Sequence, residues 1–124
     1  MGIVNNGKTL ILDMLFGLGG SKITSLGVGT DSTPFSVTQT QLNPSVAGSV
    51  LIQTQDAGSP SIASLTVTCQ STFGTGVANF QWNEIGLFNG NTNGTSTMLD
   101  RIVIGPFSKT NTVSIVAVIT ITQS

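Results

Sequence analysis

The uncharged stretch at residues 112–122, TVSIVAVITIT, constrains the fold more than any other part of the chain. One set of apolar side chains recurs at every second position: Val113, Ile115, Ala117, Ile119 and Ile121. A period of two places them on one face of a β-strand. Val116 and Val118 make the opposite face partly apolar as well. We therefore expect a central strand, or one covered on its second face by an N-terminal helix or another subunit, since such a strand would be prone to aggregation at an exposed edge.

The same strand-like period extends through most of the chain from about residue 23 onward. Segments 35–42 and 64–70 show alternation, segment 49–55 carries a short apolar run, and clusters of Gly, Pro, Asn and Ser separate them. In segment 64–70, Leu65, Val67 and Cys69 are predicted to face the core. Many short strands at this spacing predict an all-β domain, either a β-sandwich or a jelly-roll-like fold.

The N-terminal part of the chain has a different period. Apolar residues between 8 and 18 follow helical spacing, which predicts one short helix over about residues 8–18. Asn5 or Asn6 is suited to cap its start, and the glycines after Phe16 are suited to end it. The length of 124 residues fits a single β-rich domain, 1–124, with this helix at its beginning.

Charge is scarce, and this narrows the possible partners. Only nine residues are charged, whereas Ser, Thr, Asn and Gln supply 48 of the 124. The four basic residues are scattered along the chain: Lys8, Lys22, Arg101 and Lys109. Because no basic stripe is present, we expect no nucleic-acid partner, and no apolar run approaches the ~20 residues that cross a membrane. A neutral polar surface of short side chains suits a protein that packs against other proteins.

The residue types exclude several kinds of chemistry. Without histidine or tyrosine there is no Ser-His or Cys-His pair and no imidazole metal ligand, so we predict no catalytic activity, no cofactor and no metal site. The lone Cys69 has no cationic neighbour and is interpreted as core filler. Residues 17–22, GLGGSK, lack the Gly directly before Lys that a phosphate loop needs. Asp31 and Asp56 lack the spacing of a calcium loop.

One acid lies in an apolar segment and requires a partner. Glu84 falls within NFQWNEIGLF, residues 79–88, and Arg101 lies in the next predicted strand after an Asn/Gly-rich turn. If the two strands pair, the two side chains can meet on one face. A half-buried charge without a partner costs several kcal/mol. We therefore predict a structural ion pair between Glu84 and Arg101 that fixes strand register.

Four landmarks occur together in one order along nearly the whole chain. They are Leu26-Gly27-Val28-Gly29-Thr30 with Pro34 shortly after, Trp82-Asn83-Glu84-Ile85-Gly86-Leu87-Phe88, Met98-Leu99 with Arg101, and the alternating C-terminal strand. This combination resembles a family of short virion structural proteins of tailed bacteriophages. Residues 48–62 depart from the pattern. The resemblance implies a short N-terminal helix and a role in the virion.

Three functional hypotheses follow. The first is a head-decoration (cement) protein that binds the major capsid protein in the virion, as a homotrimer whose candidate interface residues are Leu12, Phe16, Val116 and Val118. The alternative is a tail-fibre or baseplate component that contacts the host, with Trp82 or aromatic residues of the loops stacking on a sugar. A small carbohydrate-active enzyme would need two acids placed together. The loops at 55–61 and 89–96 are further candidate contact surfaces.

Overall fold

The computed structural model describes residues 2–43 and 49–123, which form mostly strands in two antiparallel sheets with one short N-terminal helix. The all-β prediction is confirmed, and the architecture is that of a β-sandwich. The elements are β1 (Gly2–Ile3), α1 (Asn5–Leu15), β2 (Ser25–Gly29), β3 (Val50–Thr54), β4 (Ser61–Ala63), β5 (Thr66–Phe73), β6 (Gln81–Phe88), β7 (Met98–Ser108) and β8 (Ile115–Thr122).

The strands divide unequally between the two sheets. The larger sheet has five strands in the order β1-β7-β6-β2-β3, and the smaller has three in the order β4-β5-β8. The main core lies between the sheets, where alternate side chains from both inner faces meet. Its buried members are Leu26, Val28, Cys69, Phe73, Ala78, Trp82, Leu87, Leu99, Ala117 and Ile119.

A second apolar cluster covers the outer face of the five-stranded sheet. It consists of Val4, Leu42, Phe88 and Met98. All five residues of β2 are consequently buried, although β2 is only a short SLGVG segment. A side chain at Gly27 would overlap Ile52 and Phe88, so the absence of a β-carbon there lets this cluster approach the sheet.

Segment 35–42 is not a strand, and that prediction is wrong. The backbone N–H of Gln39 donates to the carbonyl of Ser36 at 3.1 Å, which closes a turn. Phe35 and Leu42, at either end, both pack into the second cluster. The alternation of apolar residues came from an irregular segment that anchors its two ends to the sheet, which a period of two cannot distinguish from a strand.

The helix is displaced from its predicted position. It begins at Asn5, its N-cap is Val4 without any side-chain capping bond, and it ends before Phe16, with Gly17 at a left-handed φ of +67°. Only Gly7 and Leu10 are buried in it. The helix contacts β7 through Gly7, next to the backbone of Leu99. Most of the large apolar side chains of the helix therefore face outward.

The C-terminal strand is an edge strand, which corrects the prediction of a central position. Within residues 2–43 and 49–123 it pairs with β5 alone, and the helix does not cover it. Its faces were predicted correctly, because Ala117 and Ile119 are buried whereas Val116 and Val118 are exposed. Two residues expected to face the core, Val113 and Leu65, lie just outside β8 and β5 and are exposed.

The contact between α1 and β7 gives the first testable prediction. Gly7→Ala should destabilise the protein by about 1–3 kcal/mol, because the added methyl would overlap the backbone carbonyl of Leu99. Intrinsic propensity acts the other way, since Ala favours a helix over Gly by about 1 kcal/mol. Urea unfolding measures the difference, with Asn6→Ala at an exposed position of the same helix as the control. A Gly7→Ala protein as stable as the control would contradict the close contact.

Candidate functional site

Glu84 and Arg101 meet at a buried point on the outer face of the five-stranded sheet. The Nε–H of Arg101 donates to Oε1 of Glu84 at 2.8 Å, and the two side chains are 1% and 0% exposed. Arg101 pairs with Gly86 in the ladder between β6 and β7, so Glu84 lies two residues along on the same face. The ion pair that the sequence predicts is therefore present. We call these two side chains the Glu84–Arg101 node.

The second oxygen of Glu84 is also bonded. Oε2 accepts the backbone N–H of Asp31 at 3.0 Å and that of Asn43 at 2.9 Å. Burial raises the pKa of the Glu84 carboxyl, while Arg101 and these two N–H groups oppose the rise. Every donor around the group is arranged for a carboxylate, which makes the node a charge-assisted structural contact.

The remaining N–H groups of Arg101 hold the irregular segment that follows β2. Nη1 donates to the carbonyl of Thr33 at 2.9 Å and to Oε1 of Gln39 at 3.2 Å. Nη2 donates to the carbonyl of Asp31 at 3.1 Å and lies 3.6 Å from its carboxylate. One guanidinium fork thus fastens residues 31–39 to the sheet, a task suited to the rigid geometry of arginine.

The Gly-Thr pair at the end of the LGVGT landmark serves the same node. A β-carbon on Gly29 would overlap Oε2 of Glu84, so only glycine leaves room for the carboxylate. The carbonyl of Thr30 accepts from Nδ2 of Asn83 at 2.8 Å, and its hydroxyl accepts from Asn43. Three of the four landmarks therefore converge on one structural contact, whereas the fourth, the C-terminal strand, lies in the smaller sheet. Glu84 has no exposed surface, so it is not accessible as an acid catalyst.

The burial of a second acid, Asp100, was not predicted from the sequence. Asp100 is 1% exposed, and neither carboxyl oxygen has a hydrogen-bond partner within residues 2–43 and 49–123. It pairs with Leu87, a core residue, so it belongs to the face directed at the smaller sheet. Burial raises the pKa of Asp100 to about 6. The available signal was an aspartate inside the apolar run MLDRIVI.

The candidate interface residues lie on two separate surfaces. The helix patch, as we name it, is the outward face at the end of α1 and two residues beyond it: Ile11, Leu12, Leu15, Phe16 and Leu18. Leu15, Phe16 and Leu18 are about 70% exposed or more (72%, 69% and 76%). Val116 and Val118 instead lie on the outer face of β8, 53% and 50% exposed. The prediction from the sequence included Leu12 and Phe16 but omitted the more exposed Leu15 and Leu18.

The aromatic residue proposed for sugar contact is not accessible. Trp82 is buried, its indole N–H donates to the carbonyl of Ala78 at 3.0 Å, and its ring lies 5.0 Å from Phe73 and 5.8 Å from Phe107 between centroids. It is a core residue with its polar atom satisfied. Trp82 is therefore not available for the predicted contact with a sugar.

The two loops are bonded to the fold. In loop 89–96, the side-chain amide of Asn93 bonds both the N–H and the carbonyl of Leu42. In loop 55–61, Asp56 accepts from the N–H and hydroxyl of Thr72 and from Gln70. The carboxylate of Asp56 is therefore occupied by hydrogen bonds to β5. Across the part of the chain that the structure describes, no group of three or more His, Cys, Asp or Glu residues is placed to hold a metal ion.

Comparisons with other proteins add no family. No protein-family model matches the chain, and none of the curated proteins does. Among the described residues, no helix has the length and apolar character to cross a membrane.

The node gives the second prediction. Glu84→Gln should lower the free energy of unfolding by roughly 3–5 kcal/mol, because it leaves the buried Arg101 charge without a counter-charge. It also directs an amide N–H₂ at the N–H groups of Asp31 and Asn43. Chemical denaturation measures the loss. Asp13→Asn, which removes an acid whose carboxylate makes no hydrogen bond among the described residues, should change stability by less than about 0.5 kcal/mol.

The third prediction concerns pH. The folded pKa of Asp100, about 6, exceeds the ordinary value of 3.8, so the folded state holds this proton more tightly. Its favourable contribution is complete below about pH 4 and is lost as pH rises through about 6. Asp100→Asn should therefore stabilise the protein above pH 6 by up to roughly 3 kcal/mol and leave it unchanged near pH 4.

Denaturation at a series of pH values tests this sign. Asp56→Asn is the opposite case, because hydrogen bonds from the hydroxyl of Thr72 and the amide of Gln70 lower the pKa of Asp56. Its contribution is present at neutral pH and disappears on acidification, so Asp56→Asn should destabilise only above the acidic range. Parallel pH profiles for the Asp100→Asn protein and the parent would refute the assignment of a buried, unpaired acid.

Proposed function

We propose that this protein is a structural subunit of a bacteriophage virion, a head-decoration protein that binds the major capsid protein. The observation that carries the proposal is the helix patch. Five large apolar side chains lie exposed on the last turn and a half of the helix and on two residues beyond it. A monomeric protein rarely exposes a contiguous apolar surface of this kind unless a partner covers it.

The close packing of α1 on β7 explains why this surface is directed outward. Gly7 faces the carbonyl of Leu99, and Leu10 is the helix's only large buried side chain. The opposite face carries Leu12, Leu15 and Phe16 at the spacing by which an amphipathic helix fits an apolar groove. Aromatic and aliphatic anchors of this size provide most of the binding energy in protein interfaces.

The rest of the chain supports a role in assembly over chemistry. Glu84 is confined to the node, and Trp82 is confined to the core. The neutral surface of Ser, Thr, Asn and Gly loses little side-chain entropy when it is buried. Three of the four motifs that resemble phage virion proteins lie at the node, which holds the scaffold. Attachment would then depend on the helix patch, which each copy of the protein would present to the capsid.

The fourth prediction tests the virion assignment directly. Quantitative mass spectrometry of purified particles should find a copy number comparable to that of the major capsid protein. A small multiple of three or six would indicate a tail position instead, as in a tail-fibre or baseplate component. Absence from purified particles would refute the proposal.

A matched pair of variants tests the helix patch. Leu15→Glu should weaken rebinding to particles stripped of this protein by about 30-fold, since a central apolar anchor contributes roughly 2 kcal/mol. Val113→Glu places the same charge on an exposed apolar residue outside the patch and should rebind normally. Equal rebinding of both variants would exclude the helix patch as the attachment surface.

A further inference from the structure

We infer that β8 is the contact edge of a two-fold homodimer, in which the β8 strands of two copies pair antiparallel and join two three-stranded sheets into one of six strands. The inference concerns the purified protein and does not depend on the virion assignment. It follows from how this fold treats the outer strands of its sheets. Unpaired strand edges are templates for another chain, so folded proteins usually shorten, cover or charge them.

The outer strands of the five-stranded sheet follow that rule. At one side β1 is two residues long and pairs with β7 only at Asp100 and Arg101. The part of β7 beyond it contains Gly105 and Pro106, and a proline cannot donate to a further strand ladder. At the other side β3 is bonded by the smaller sheet, because the hydroxyl of Ser71 donates to the carbonyls of Gln53 at 3.1 Å and Thr54 at 3.2 Å. Neither edge offers a long, regular row of backbone groups without proline or a side-chain contact.

The β4 side of the smaller sheet is protected as well. β4 has three residues. Beyond its end, Asp56 continues the protection of β5, because its N–H donates to the carbonyl of Gln70 at 2.8 Å and its carboxylate accepts the N–H of Thr72 at 3.0 Å. The far side of β5 is therefore covered along most of its length.

β8 is the exception among these four edges. It pairs with β5 without interruption over eight residues, from Ile115 opposite Phe73 to Thr122 opposite Thr66, and seven of its eight residues are β-branched. It has no charge, no proline and no bulge in this ladder. A long, regular, neutral edge of this composition is the kind that pairs with another strand.

The absence of charged residues from the smaller sheet favours a second copy of this chain as the partner. None of the three strands of the smaller sheet, β4, β5 and β8, contains a charged residue. Two such sheets can meet edge to edge without bringing like charges together. Val, Ile and Thr would then lie opposite Val, Ile and Thr, which are favourable cross-strand pairs. Val116 and Val118 from both copies would form one continuous apolar stripe across the two-fold axis.

The same geometry explains why pairing would stop at two copies. An antiparallel β8 pair is isologous, so it uses the one long edge of each subunit. The outer strands of the six-stranded sheet would both be β4, short and followed by the Asp56 contact. The dimer therefore ends in protected edges and has no route to a fibril.

Sedimentation equilibrium of the full chain, with a matched pair of lysine variants, provides the test. Thr120 on β8 and Thr68 on β5 are partners in the ladder and share the outer face of the sheet. Thr120→Lys places a charge on the pairing edge and should halve the mass of the assembly. Thr68→Lys places the same charge one strand inward and should keep the parent mass. Equal masses for both variants and the parent, or a monomeric parent, would overturn the inference.

A second measurement does not depend on any variant. In a β8 dimer, hydrogen exchange should be slow at consecutive β8 amides, because alternate N–H groups point towards β5 and towards the second copy. In a monomer, only the amides directed at β5 are protected. Alternating fast and slow exchange along Ile115–Thr122 at a concentration where the parent is assembled would exclude pairing through β8.

Cysteine cross-linking defines the register in a Cys69→Ser background. Cysteines placed singly at Val116, Val118 and Thr120 should give a covalent dimer efficiently at the position nearest the axis, where β-carbons approach within about 4.5–5.5 Å. Cysteine at Thr68 is the control and should remain reduced. Cross-linking at Thr68 equal to that at all three β8 positions would contradict the pairing. Failure of the virion assignment would leave these solution results unaffected.

Discussion

The ion pair between Glu84 and Arg101 is the contact on which the rest of this structure depends. It lies on the outer face of the five-stranded sheet, where an uncovered apolar surface would otherwise meet water. Arg101 binds Glu84 and also holds the carbonyls of Asp31 and Thr33, so the irregular segment after β2 is fastened down. That segment brings Leu42 onto the sheet. A buried pair of this kind is costly to break because either charge alone would be left in a dry environment.

The two sheets differ in how many of their faces are covered. The five-stranded sheet is packed on both faces, by the core on one side and by the second cluster on the other. The three-stranded sheet is packed on its inner face alone, and its outer face and the β8 edge remain accessible. The helix adds a second accessible apolar surface on the other sheet. The accessible apolar surfaces of this protein therefore lie away from the node.

Much of the scaffold could be predicted because its signals are local. Alternation over Thr66–Cys69 and Ile115–Thr122 shows which face is buried whatever the neighbouring strand is. Glu84 and Arg101 could be paired because a charge in an apolar strand needs a partner. The same reasoning failed at 35–42, where Phe35 and Leu42 mark the ends of an irregular segment. It also missed Asp100, since an acid with no hydrogen-bond partner in the described residues leaves no pairing rule to apply.

The sequence by itself determined the all-β class, the short N-terminal helix, the faces of β8 and the partner of Glu84, because periodicity and charge compensation act over a few residues or between two named groups. Tertiary structure alone decided that β8 lies at an edge and that the helix turns its large apolar side chains outward. A repeat of two or 3.6 residues specifies which side chains share a face but not what covers that face. Strand order places β8 at an edge, and the close approach of Gly7 to Leu99 turns the apolar face of the helix outward. Both features depend on contacts between residues far apart in the chain.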